Sequence, residues 1–140
     1  MILKYIFFIL LLILDGISKY FANLNYFYFN YKIIWFQYAE NPGMSFGLLS
    51  NQKTLLIFIQ AFIISVFLYY IIKKKIFNYG VMLIIAGAIG NIIFRVLPNS
   101  NGKVIDFINL SNIFIFNLAD LFIATGVVLY SYKVLKRKSP

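Results

Sequence analysis

The sequence predicts an all-α membrane protein of four transmembrane helices with a small β-structured piece on the outer membrane surface, and three observations carry that expectation. Hydrophobic residues make up 62% of the chain and charged ones 12%, whereas about a quarter of a soluble domain is charged. Four segments approach the ~20 apolar residues needed to cross a ~30 Å hydrocarbon layer. A further segment is dense in aromatic and β-branched residues but too broken by Asn and Lys to cross. No stretch is polar and long enough for a separate soluble unit, so residues 1–140 read as a single membrane-embedded domain.

The first span is expected at Tyr5–Phe21. Lys4 ahead of the apolar run Tyr5–Leu14 resembles a signal peptide, but Asp15 and Lys19 follow at once and no small-x-small cleavage site is evident, so a retained helix is expected. The i, i+4 spacing sets Asp15 and Lys19 on one face. The outer segment Asn23–Asn51 contains Tyr26, Phe27, Tyr28, Phe29, Tyr31, Ile33, Ile34, Trp35, Phe36 and Tyr38. Tyr and Trp favour the membrane–water boundary, which predicts a β-structured piece lying on the outer leaflet. The second span is placed at Leu55–Ile72, the third at Val81–Leu97 and the fourth at Ile113–Tyr132. The connection Phe77–Gly80 is short, and Pro98–Asn112 holds the turn formers Pro98, Asn99, Ser100, Asn101 and Gly102.

The net charge of +9 does not indicate nucleic acid, because the cations gather at span ends rather than on a water-exposed face. With both termini cytoplasmic, eight cations lie inside: Lys4, Lys73, Lys74, Lys75, Lys133, Lys136, Arg137 and Lys138. Lys32, Lys53, Arg95 and Lys103 then lie at or beyond the outer ends, a bias that obeys the positive-inside rule. Membrane lipids are the expected surroundings of this multi-pass chain, and a monomer is the expected state.

Cysteine and histidine are absent, which removes disulfides, thiol nucleophiles, imidazole bases and the common zinc ligand sets. No cofactor is expected, so any hydrolysis must run on carboxylates, hydroxyls or lysine. The chain has only four carboxylates, and Asp15, Asp106 and Asp120 lie inside or beside apolar stretches. An aspartate at a helix centre costs about 2.5–3.5 kcal/mol on insertion scales, so these three are the candidates for chemistry. All three fall in the outer half of the predicted layer, with Asp120 seven residues after Ile113 and thus ~10 Å below the outer end. Asp106 and Asp120 are 14 residues apart with Asn109, Ser111 and Asn112 between them. If the two meet, they share one proton and are arranged for water attack on a peptide carbonyl. Spacing alone supports equally a plain alternative, in which Asp106 caps the fourth helix and Asp120 bonds a polar partner inside the bundle. Asn91 and Arg95 share a face of the third span, and Asn117 lies one turn before Asp120. Gly87, Gly90, Ala119, Ala124 and Gly126 read as small residues that let helices pack closely.

Five motifs in order, Asp15-Gly-Ile-Ser-Lys19, Asn41-Pro-Gly-Met-Ser-Phe-Gly47, Gly90-Asn-Ile-Ile-Phe-Arg95, Gly102-Lys-Val-Ile-Asp-Phe107 and Phe116-Asn-Leu-Ala-Asp120, resemble those of lipoprotein signal peptidase, also called signal peptidase II. The resemblance covers nearly the whole chain. It implies a four-helix aspartyl protease of the bacterial inner membrane, with its active site toward the outer face. The implied substrates are prolipoproteins carrying diacylglycerol on a cysteine, cut immediately before that cysteine. By motif, Asp106 and Asp120 match the catalytic pair, and Asp15, Lys19, Asn41, Gly43, Asn91, Arg95 and Asn117 match positions that shape or contact the substrate site. The aromatic outer segment matches a β-cradle. Two positions depart from the pattern: Phe94 stands where most family members have an aspartate, and Gly16 where most have a glutamine. The rivals are a non-catalytic relative that binds lipidated precursors and a small proton- or ion-coupled transport component, although no internal repeat supports the latter.

Overall fold

The computed structural model describes residues 2–25, 29–43, 49, 52–74 and 78–138. Tyr26, Phe27 and Tyr28 of the aromatic segment, Met44, Ser45, Phe46 and Gly47 of the second motif, and Lys75 and Phe77 lie outside the described residues. Among the described residues four long helices form: α1 (Ile2–Asn23), α2 (Lys53–Lys74), α3 (Tyr79–Val96) and α4 (Leu118–Lys138). The helices α2, α3 and α4 are long and apolar enough to cross a membrane. At 22 residues, α1 is about 33 Å long and carries Lys4, Asp15 and Lys19.

The bounds of α3 follow from its ends. Asn78 caps it, its side chain accepting from the Val81 N–H at 3.2 Å. It stops where Leu97 precedes Pro98, because a residue before proline is pushed out of the helical region, and Leu97 is extended at φ −58°, ψ 139°. Every residue from Gly80 to Gly87 is buried, so α3 is the inner helix on which α1, α2 and α4 pack. The α3–α4 seam is close enough that a Cβ on Gly87 would stand 2.3 Å from the Ala119 carbonyl oxygen.

A four-stranded antiparallel sheet in the order β1 (Asn30–Tyr31), β2 (Ile34–Asn41), β3 (Val104–Leu110), β4 (Phe114–Phe116) lies at one end of the bundle. The aromatic segment thus supplies two strands, as its composition predicts. The register pairs Ala39 with Asp106 and Asn41 with Val104, and an irregularity between Phe36 and Ala39 shifts it. Ser111 and Asn112 both have positive φ in the turn from β3 to β4, where the Asn109 carbonyl oxygen of the side chain accepts from the Asn112 N–H at 2.8 Å.

The expected fourth span needs correction at its start. Phe114–Phe116 pairs with Ile108–Leu110 as β4, and the helix begins only at Leu118. Asp120 therefore sits in the first turn of α4 rather than two turns below its outer end. Likewise, the connection expected as a turn-rich loop holds a short 3₁₀ turn at Pro98–Ser100 and then the whole of β3.

Candidate active site

The end of β2, the middle of β3, the first turn of α4 and one face of α3 converge on a cavity of about 790 Å³, lined in part by Asn41, Gly43, Asn91, Arg95, Asp106, Asn117 and Asp120. One residue, Asn117, links Asp106 to Asp120. Asn117 stands immediately before α4, and its side-chain oxygen accepts from the Asp120 N–H at 3.0 Å, while Asp120 Oδ2 accepts from the Asn117 N–H at 3.3 Å. This reciprocal cap satisfies two N–H groups and fixes Asp120 against the helix end. The same Asn117 turns its Nδ2 to Asp106 Oδ1 at 2.6 Å and to Asn91 Oδ1 at 3.2 Å. Asp106 Oδ2 accepts from Asn41 Nδ2 at 2.8 Å, and Asp120 Oδ1 from Asn91 Nδ2 at 2.9 Å. Both carboxyls are thus held by amide donors on two sides. Burial, reinforced by the Asp120 charge, pushes the Asp106 carboxyl up to about 6, against the pull of the Asn41 and Asn117 amides and of Lys19.

Asp15 and Lys19 lie behind this wall rather than in it. They are 1% and 0% exposed and form an ion pair at 2.7 Å, as their spacing predicts. Asp15 Oδ1 also accepts from the Ala119 N–H at 3.0 Å, so a residue of α1 caps the N-terminus of α4. Lys19 Nζ donates to Asn91 Oδ1 at 2.9 Å. Because Asn91 Oδ1 receives both Lys19 and Asn117, its Nδ2 must face Asp120, which sets the amide's orientation.

Gly90 makes room for this pair. A Cβ there would stand 2.4 Å from Asp15 Oδ2. Gly90→Ala is expected to displace the carboxylate from Lys19 and the α4 terminus, with a loss of about 1–3 kcal/mol measured as a lower unfolding midpoint.

Arg95 is 3% exposed, so it does not snorkel to headgroups. Its Nη2 donates to the Gly43 carbonyl, and its Nη1 to Gln60 Oε1 at 3.5 Å. The Asn41 side-chain oxygen accepts from the Gly43 N–H at 2.9 Å, so Asn41 and Arg95 together hold the chain at Gly43 on the cavity edge. Glu40, the fourth carboxylate, pairs in the open with Lys103 at 2.5 Å, and the Lys103 hydrogen bond, with that of Tyr38, lowers its carboxyl.

A family model described as signal peptidase (SPase) II matches residues 7–136. The chain belongs to the signal peptidase II family. It is 35% identical over 106 residues to the lipoprotein signal peptidase of Caldicellulosiruptor bescii, covering 74% of this chain and 69% of that one. It is 39% identical over 104 residues to that of Clostridioides difficile, covering 70% and 68%. A solved structure described as a bacterial membrane enzyme superposes with TM-score 0.86 at 29% identity, covering 97% of this chain and 89% of the other. This signal peptidase II is therefore a membrane peptidase.

All nine residues singled out by motif fall in one hydrogen-bonded region. Two further participants were not among them. Gln60 lines the cavity from α2 and bonds Arg95; its signal is a lone amide within the apolar run Leu55–Ile64. Phe94 places its ring 5.2 Å from Lys19 Nζ, and no spacing rule joins those two residues in sequence. Gly16 has open space around it, so the absent side chain at that position leaves no mark on the packing.

Proposed function

We propose that this signal peptidase II is an aspartic endopeptidase that cleaves the signal peptide of diacylglyceryl-modified prolipoproteins just before the lipidated cysteine. The observation that carries the reading is that Asp106 and Asp120 line one cavity and both bond Asn117, the Asp106 carboxyl through its side-chain amide and the Asp120 carboxyl through its backbone N–H. Two carboxyls so placed hold one proton between them. The ionised partner takes a proton from water as its oxygen attacks the scissile carbonyl carbon, and the protonated partner supports the carbonyl oxygen. The proton taken from water then passes to the leaving amine as the C–N bond breaks. Substrate contacts fall to Asn41, Gly43 and Arg95, which hold the cavity edge, and to the apolar wall of Ile113, Phe114, Ile115, Leu121 and Ile123, which suits acyl chains. Asn91, Asn117, Asp15 and Lys19 position the pair.

In this reading all four helices, α1 included, cross the membrane with both termini cytoplasmic and the sheet on the outer face. The cation bias between the two sides supports that orientation. One chain supplies every site residue, which supports a monomer.

Two synthetic precursors of equal sequence, one with a diacylglyceryl cysteine and one without, test the reading by mass spectrometry of the products. The expected result is a single cut before the modified cysteine and none in the unmodified peptide. Equal cutting of both, or a cut elsewhere, overturns the substrate assignment. The pH dependence is also fixed in sign. As pH rises through about 6, Asp106 loses its proton, and with it the acid on the carbonyl oxygen. The kcat/KM of the free enzyme is therefore expected to fall by about tenfold per unit above that point.

A further inference from the structure

Phe94 lies on α3 one turn from Asn91, and its ring is directed at a wholly buried ammonium. Lys19 is 0% exposed, and its Nζ is 5.2 Å from the Phe94 ring centroid. An ammonium carries three N–H donors. Asp15 Oδ2 at 2.7 Å and Asn91 Oδ1 at 2.9 Å take two of them. An aromatic face is negative at its centre and attracts a cation within ~6 Å, the more strongly where water is excluded. The ring thus closes the remaining side of Lys19 without introducing a second acid. What Lys19 does next matters for the reaction. Its bond to Asn91 Oδ1 leaves Asn91 Nδ2 for Asp120 Oδ1, at 2.9 Å. An ammonium that drifted from Asn91 would leave the amide oxygen to the longer Asn117 Nδ2 bond alone, at 3.2 Å, and loosen the aim of Asn91 Nδ2 at Asp120.

We propose that Phe94 is a positioning residue for the peptidase reaction: its ring face holds the Lys19 ammonium on Asn91, and through Asn91 it orients Asp120. The proposal rests on the peptidase reading for its kinetic consequence but not for the contact itself.

The test replaces Phe94 with phenylalanines bearing one, two and three ring fluorines, which keep the shape while progressively draining the π face. Both kcat on the lipidated precursor and the thermal unfolding temperature of the purified enzyme are measured. The expected result is a stepwise fall in kcat, reaching about tenfold at three fluorines with KM little changed, and a parallel fall in unfolding temperature. Phe94→Leu should resemble the trifluoro form and Phe94→Trp the wild type. In the Asp15→Asn/Lys19→Met background, which has no ammonium, the unfolding temperature should be flat across the series. A series flat in both readouts in the wild-type background overturns the proposal. A falling unfolding temperature with unchanged kcat overturns the positioning role and leaves a purely structural contact. If the wild type cuts no lipidated precursor, the peptidase reading fails instead, and the unfolding series still decides whether the ring holds Lys19.

Discussion

Asp106→Asn and Asp120→Asn are each expected to lower the turnover of a lipidated precursor by about 10²–10⁴-fold, because an amide can neither accept the proton from water nor return it to the leaving amine. The substitutions are nearly isosteric. Asp120→Asn retains an oxygen for the Asn117 N–H, and Asp106→Asn retains one for Asn41 or Asn117, so folding is expected to survive. If the proposed dyad acts as one unit, the double variant should be little worse than either single one. Single-turnover cleavage, with the unfolding midpoint as a control on folding, makes the measurement. Wild-type cleavage by either folded single variant would sink the dyad.

The second large effect belongs to the buried ion pair. Lys19→Met is expected to cost about 3–5 kcal/mol of stability, because it strands the Asp15 carboxylate among apolar neighbours. It also removes the donor that aims Asn91 at Asp120, so turnover should fall in whatever fraction remains folded. Asp15→Asn should be milder, since its amide oxygen still meets Lys19 or the Ala119 N–H. The Asp15→Asn/Lys19→Met double variant should recover most of the stability lost in Lys19→Met, as neutralising both members of a buried pair commonly does. Denaturant midpoints of the four proteins form a complete cycle. Equal stability and turnover in Asp15→Asn and Lys19→Met would remove the role assigned to the pair.

Legibility in the sequence followed the range of the forces concerned. The apolar runs of α1, α2 and α3 end within two or three residues of where composition places them, because lipid exposure is decided locally. The Asp15–Lys19 pair was readable because one helix supplies both members. The start of α4 was not: Phe114-Ile115-Phe116 is as apolar as the helix that follows, and only its pairing to β3 makes it a strand. β3 itself was hidden by Asp106 and Asn109, polar residues whose side-chain partners in β2, Asn41 and Gln37, lie 65 and 72 positions away. Spacing alone left the two aspartates undecided between a pair and separate structural roles. In the structure Asn117 and Asp15, not Asp106, cap α4, while Asp120 does bond a polar partner, Asn91, and Asp106 is held by the Asn117 side-chain amide on the same cavity.

The cap that Asp15 places on the Ala119 N–H has a temporal consequence. A helix synthesised before α4 finishes the first turn of α4. Until α4 has docked on α1, its leading turn lacks that anion. The cavity wall that α4 supplies is therefore completed only once two segments 104 positions apart have met.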